Sequence, residues 1–350
     1  MSSIADQPAS GAARPAFALS WNWLGVLPFF LFALAFIFLP ASNLVIRSFQ
    51  DDHGRFTLAN ILGLTDPYIV GAYAVSLQLS FVTALLGGLF GFLVAYAVVL
   101  GGGPRPLRGV IISFSALAAQ FGGVPLAFAF IAVIGRTGVI TTALRSWGLN
   151  IYDLNRSSDQ VKAVLDQLNA GLGPTMNFLS SRVCQPINVF GLDLAVCQHR
   201  GFNVYDFQFN LYTFWGLGLT YLYFQFPLMV LIISPALEGL KREWREAAEN
   251  LGASQWHYWR YVALPILLPS LLGTMILLFG NAFGAYATAF ALTGGTINLV
   301  TIVIGAQIRG DVLRNPGFGY AMALGMVAVM TFSIIMYRLL QRRTERWLRQ

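Results

Sequence analysis

The sequence predicts an all-α integral membrane protein with six transmembrane helices and both termini in the cytoplasm. Three observations carry that prediction: the composition, a series of apolar runs each long enough to span a bilayer, and an uneven distribution of cations. Of the 350 residues, 56% are hydrophobic and 11% are charged. A soluble domain carries about 25% charged residues. The mean hydropathy is +0.64. High apolar content with low charge excludes a disordered chain, and two cysteines exclude a disulfide scaffold. Barrel strands would alternate over about ten residues each, a pattern the chain lacks. Helices satisfy every backbone polar group inside lipid, which leaves a helical membrane protein.

The elements follow in order. Residues 1–20 are polar and rich in Ala, Ser and Pro, and read as a disordered cytoplasmic tail. The first apolar run, Leu24 to Ile46, exceeds the roughly 7–15-residue core of a signal peptide, so residues 21–47 read as an uncleaved transmembrane helix. Further runs at 71–100, 109–135, 209–235, 265–292 and 319–340 each supply the required ~20 apolar residues. The run at 71–100 is long for a bilayer and is expected to tilt or to project into water. The net charge of +7 reflects basic residues in short cytoplasmic segments rather than a nucleic-acid face. With both termini inside, the cytoplasmic pieces carry Arg14, Arg105, Arg108, Lys241, Arg242, Arg245, Arg260, Arg338, Arg342, Arg343, Arg346 and Arg349. The short outer pieces carry only Arg47, Arg55, Arg309 and Arg314.

The loop 136–208 is therefore extracytoplasmic and long. Ser157 through Gln160 reads as an S-x-x-Q capping box. Val161, Val164, Leu165 and Leu168 then share one face of a short helix, with Gly171 as its stop. Ile187–Val196 is a weak strand or turn candidate. Cys184 and Cys197 both lie in this loop, on the oxidising side, where a disulfide worth about 3 kcal/mol is expected. Two free, buried thiols are the alternative. No CxxC occurs, and His199 alone makes no zinc site. An intramembrane enzyme would need paired catalytic groups at depth, yet His53, His199 and His257 all fall in loops.

The most informative stretch is the cytoplasmic loop 237–264 between the fourth and fifth spans. Residues 237–250 combine helix formers with charge pairs such as Glu238 with Lys241 and Arg242. Ala247 and Ala248 offer a flat patch that another protein can approach closely. Gly252 supplies a chain reversal, and Ser254 can cap a second short helix bearing Trp256, His257, Tyr258 and Trp259. Leu264-Pro265 is expected to end that helix, because the residue before proline avoids helical geometry. The result is a helix-turn-helix on the cytoplasmic membrane face. An interfacial amphipathic helix without any partner would share these features.

The spacing of Glu246-Ala247-Ala248, Gly252, Val262 and Leu264-Pro265 resembles the signature loop of the permease subunits of binding-protein-dependent ABC importers, with Val262 where Ile is commoner. The resemblance covers roughly residues 70–340, as the five-helix type I ABC importer permease core with one extra N-terminal helix. It implies a multi-pass protein of the bacterial inner membrane and a coupling role for Glu246, Ala247, Ala248, Glu249, Gly252, Leu264 and Pro265. It also implies two cytoplasmic ATP-binding subunits, a second and different permease chain, a periplasmic substrate-binding protein and surrounding lipid, but no nucleic acid. The chain has no G-x-x-x-x-G-K-[ST] motif, so no cofactor is expected on it, and ATP with Mg is expected on the partner subunit. It is not expected to be an enzyme. A channel or secondary transporter would leave the loop unexplained.

Within that family, Gly284-Ala285-Tyr286 through Leu292-Thr293-Gly294-Gly295 looks like the spermidine/putrescine permease group, which implies a polyamine-like or other small organic solute. Permeases for ferric ion, phosphonate and sulfate or thiosulfate are the alternatives. Many polyamine-type permeases carry an acid at the Ala285 position, and here no span interior holds Asp, Glu, Lys, Arg or His. The substrate path is then expected to use uncharged polar groups: Gln78, Gln120, Tyr221, Gln225, Asn281 and Tyr286. Gln225 and Asn281 also suit interhelical hydrogen bonding, and Gly87/Gly91 and Gly280/Gly284 suit close helix crossings.

Overall fold

The computed structural model describes residues 23–51, 53–101, 104–172, 182–189, 192–199, 205, 209–309 and 315–348. The 1–20 tail, with Arg14, lies outside the described residues, as do Arg200, Arg314 and Arg349, and the side chains of Cys184, Cys197 and His199.

The chain runs through α1 (Trp23–Ala33), α2 (Leu39–Ser48), α3 (Ala59–Leu62), α4 (Pro67–Leu100), α5 (Arg105–Gln120), α6 (Gly123–Ile134), α7 (Val139–Ser146) and α8 (Asp159–Leu172). A hairpin of β1 (Arg182–Val189) and β2 (Leu192–His199) follows. Then come α9 (Phe214–Glu238), α10 (Arg242–Asn250), α11 (Gln255–Tyr258), α12 (Leu264–Phe283), α13 (Ala287–Thr293), α14 (Val300–Arg309) and α15 (Pro316–Leu348). Six stretches are long and apolar enough to cross a membrane: Gly25–Ser48, Pro67–Leu100, Gly123–Ser146, Phe214–Glu238, Gln255–Phe283 and Pro316–Arg342. The fold is the expected helical membrane bundle.

Helix α9 is its axis. It is the most buried span, with 61% of its apolar window inside the protein, and it packs along α4, α5 and α12. Small residues allow this. A Cβ at Gly87 would meet the Gln225 Cβ at 2.6 Å, and one at Gly91 would meet the Met229 Cβ at 2.5 Å. Gly87 and Gly91 therefore mark the α4–α9 crossing, where only backbone-to-side-chain contact fits. Gly280 faces Met330 of α15, whereas Gly284 sits at the end of α12 without a helix against it. Helix α4 has 34 residues. At 1.5 Å per residue that is about 50 Å, well beyond the ~30 Å hydrocarbon core. The first span is attached through α2 on α15, and most of its apolar side chains are exposed.

Four sequence expectations are corrected. First, the run 109–135 is not one helix. It breaks at Phe121–Gly122 into α5 and α6, with Gly123 at φ +71°. Second, the run 265–292 breaks at Gly284–Tyr286 into α12 and α13. Third, Leu264-Pro265 does not end a helix. Leu264 is helical at φ −63° and ψ −46°, and a π-helical turn, Trp259–Ala263, joins α11 to α12. The Leu264 N–H bonds Trp259 O. That wider turn places the missing N–H and the ring of Pro265 where they break no α-helical register. The same device precedes Pro40: Leu34–Phe38 is π-helical and the Leu39 N–H bonds Leu34 O. Fourth, Ser157 is turned to a loop rather than to the start of α8. Its Oγ accepts from the Asn150 N–H at 3.0 Å, α8 begins at Asp159, and Gly171 lies within the helix. Val164 and Leu168 of its apolar face are exposed.

Strands β1 and β2, which overlap the weak strand candidate Ile187–Val196, pair antiparallel in a register that sets Cys184 opposite Cys197.

Candidate functional site

Two places bring the sequence-derived residues together. The first is the loop 237–264 between the fourth and fifth spans. Helix α10 presents no buried residue. Its charges are arranged at i,i+4: Arg242 Nε donates to Glu246 Oε1 at 2.7 Å, and Arg245 Nε donates to Glu249 Oε1 at 2.8 Å. The Glu249 carboxylate raises the Arg245 pKa above its ordinary value. Both glutamates are thus held on one helix face while remaining solvent-exposed. Ala247 is exposed and Ala248 half-buried.

The turn after α10 is a glycine C-cap. Gly252 sits at φ +77°, and its N–H donates to Glu249 O at 3.0 Å while the Ala253 N–H donates to Ala248 O at 3.0 Å. These bonds satisfy carbonyls that the helix end leaves open. Ser254 caps α11, its Oγ accepting from the His257 N–H at 3.4 Å and lying 2.7 Å from His257 Nδ1. Tyr258 is buried, and Trp259 packs edge-on to Tyr96 at 5.2 Å, fixing the loop to the C-terminal end of α4. Arg108 of α5 pairs with Glu238 at the end of α9. One feature escaped the sequence reading: Leu251 is 88% exposed at the tip, with Trp256 also exposed. The tip thus sets two exposed apolar side chains beside the exposed Glu246 and Ala247.

The second place is a cavity of about 450 Å³ where the two helix breaks meet. Gln120, Gly122 and Gly123 line it from the α5–α6 break, Asn281 and Gly284–Thr288 from the α12–α13 break, and Phe224 from α9. Thr288 Oγ1 donates to Gly123 O at 3.2 Å, tying one break to the other. Broken helices in membrane proteins are tolerated where they line a cavity. Tyr223 holds α5 and α6 to α9 through its ring contacts with Phe121 and Phe130. No lining side chain carries a charge at neutral pH.

Three of the six path candidates, Gln120, Asn281 and Tyr286, line this cavity. Gln120 and Asn281 are exposed on its open side. Tyr221 is buried behind it and donates its hydroxyl to Ala285 O at 3.0 Å. Gln225 is 0% exposed; its Nε2 donates to Leu278 O at 3.0 Å, bonding α9 to α12, and its Oε1 has no partner. Gln78 is exposed on α4 and does not join the others.

Residues 170–346 match the family model described as binding-protein-dependent transport system inner membrane component. The chain is 26% identical over 278 residues to a protein named probable sulfate transport system permease protein cysT of Nephroselmis olivacea, covering 79% of this chain and 73% of that one. It is 25% identical to the sulfate transport system permease protein CysT of Escherichia coli, covering 75% and 72%. The spermidine/putrescine transport system permease protein PotB of Haemophilus influenzae is 32% identical over 133 residues, covering 37% of this chain and 45% of that one. In structure, the chain is similar to a bacterial ABC transporter involved in the import of the acidic polysaccharide alginate. The TM-score there is 0.61 at 14% identity, covering 92% of this chain and 95% of that chain.

Proposed function

The chain belongs to the binding-protein-dependent transport system inner membrane components, and we propose from that premise that it is the permease subunit of an ATP-driven importer for a small oxyanion of the sulfate class. It resides in the inner membrane. Its α10–α11 loop docks on a cytoplasmic ATP-binding subunit, where ATP with Mg is bound and hydrolysed, and two such subunits serve two permease chains. A periplasmic binding protein delivers the substrate from the other side.

Glu246 and Glu249 present charge, Ala247 and Ala248 allow close approach, and Leu251 enters an apolar recess of the ATP-binding subunit. Gly252 sets the angle between α10 and α11. Motion passes through Tyr258 and Trp259 into the continuous helix from Gln255 to Phe283, so Leu264 and Pro265 lie inside the lever. That lever ends at the cavity. Gln120 and Asn281 are polar, exposed and within the bundle's membrane zone, where lipid contact is costly. A second permease chain covers that face and closes the cavity into a path.

The observation that carries the substrate class is similarity to sulfate permeases over three quarters of the chain. An acid-free cavity supports it, because a polyamine would need a counter-ion there. Neutral donors bind an anion tightly enough to admit it and weakly enough to release it. The polyamine expectation is set aside on the same grounds, since the PotB likeness is confined to 37% of the chain.

The test is uptake of radiolabelled sulfate in a host lacking its own sulfate importer and carrying this chain with its partner subunits. The account predicts uptake that needs this chain and is competed by thiosulfate. Uptake of spermidine without sulfate would overturn the substrate class.

A further inference from the structure

We propose that Arg309 is the specificity-determining charge of the path, a guanidinium held on the ring of the cavity-wall residue Tyr286 to attract the oxyanion and to reject cations. The inference rests on the oxyanion reading above and extends it to a residue that lies outside the cavity lining.

Helix α14 packs on α15 and α4. Three of its residues, Thr301, Gly305 and Arg309, recur at i, i+4 and i+8 and so form one stripe. Each meets the α12–α13 break. Thr301 Oγ1 donates to Ala285 O at 3.4 Å. A Cβ at Gly305 would meet Tyr286 Cε2 at 2.9 Å, so the tyrosine ring lies directly on the glycine. The Arg309 guanidinium carbon lies 5.0 Å from the centroid of the same ring. Tyr286 in turn forms part of the cavity wall and stacks on Phe290 at 5.4 Å.

The stripe therefore serves one end. Thr301 ties the break to α14, Gly305 lets the Tyr286 ring seat against the helix, and Arg309 holds its charge on that ring. Stacking on an aromatic face suits the planar, weakly hydrated guanidinium better than an ammonium. Among the described residues, Arg309 makes no ion pair with a carboxylate. Its side chain is exposed, and the adjoining residues Gln307 and Ile308 pack at Gly319 in the first turn of α15. That turn lies at the outer end of the last span, given a cytoplasmic C-terminus. The charge thus stands on the entry side of a cavity whose own walls are neutral. A charge at the mouth of a low-dielectric cleft raises the local concentration of the opposite charge.

The test uses the assembled transporter in proteoliposomes, with its ATP-binding subunits and binding protein, and sulfate as the probe. R309Q and R309M remove the charge, the latter keeping an apolar stem; R309K keeps the charge without the planar stack. Copurification with the ATP-binding subunits shows that each variant is assembled. The proposal predicts a rise of about five- to tenfold in KM for R309Q and R309M with kcat within about twofold. R309K should recover part of the loss, and the gap between variants and wild type should narrow at high ionic strength. Wild-type KM in R309Q at low and high salt, with sulfate still transported, would overturn the Arg309 assignment alone. Equal losses in kcat for all three variants would mean a packing role and would also overturn it. A wild-type transporter that moves spermidine and no oxyanion would overturn the underlying reading, and this proposal with it.

Discussion

Substitution of Gly252 separates the shape of the coupling loop from its stability. The residue sits at φ +77°, and a Cβ added there meets nothing within 4 Å. Alanine therefore causes no steric clash with the rest of the protein. Its cost is confined to left-handed backbone strain, about 1–2 kcal/mol for an L-residue. The helix before the turn is free to adjust, since α10 buries no residue. In the free permease it can relax to another turn and avoid that strain. Docking requires the original turn, so the strain reappears as lost affinity for the ATP-binding subunit, by a factor of about 5–30. Gly252→Asn should lose less, because asparagine tolerates the left-handed region, and Gly252→Val more, because a branched side chain does not. The assay is titration of the ATP-binding subunit onto permease in nanodiscs, with membrane insertion and thermal unfolding as controls. Unchanged affinity across Asn, Ala and Val, or failure of Gly252→Ala to insert, would refute the reasoning.

Three further outcomes are expected. Glu246→Lys places a like charge beside Arg242, now 2.7 Å from the carboxylate, and should abolish uptake while membrane insertion persists; normal transport would remove the loop from the mechanism. Gln225→Leu replaces a side chain with one unpartnered buried oxygen and should change stability by no more than about 1 kcal/mol. Gln225→Ala keeps the Cβ that touches Gly87 but empties the space of the amide beside Leu278, and should cost about 2 kcal/mol or more, so equal thermal unfolding temperatures for the two variants would contradict the packing described. Cys184 and Cys197, facing each other in the hairpin register, should both resist alkylation until reductant is added, as read by intact mass; two alkylated thiols in the native protein would remove the disulfide.

The parts of the fold legible in the sequence are those that depend on local chemistry. Twenty-residue apolar runs, the Gly252 reversal, the Ser254 cap and the Gly87/Gly91 crossing each rest on one or two residue types whose physics is the same in any context. What stayed hidden depends on partners distant in the chain. Gly122-Gly123 and Gly284 lie inside apolar stretches, and hydropathy averages across them without registering a break. The breaks exist because Thr288 bonds Gly123 O and Tyr221 bonds Ala285 O, contacts spanning much of the sequence. Gln78 and Gln120 look alike in sequence, yet one faces outward from α4 and the other lines the cavity. Leu264-Pro265 misled for a different reason: proline disfavours a standard helix, but a π-turn upstream absorbs it. Arg309 carried no sequence signal at all beyond its place in an outer loop, since its meaning comes from a ring 23 residues earlier.

Photocrosslinking from the tip of the loop tests the central claim most directly. A photoreactive residue at Leu251 or Ala247, incorporated in the native membrane with all partner subunits present, should capture a nucleotide-binding subunit in a single adduct, with capture changing between ATP-bound and ATP-free states. A probe that captures only lipid, on a chain that purifies without any ATP-binding partner, would contradict the account and leave the loop as an interfacial helix.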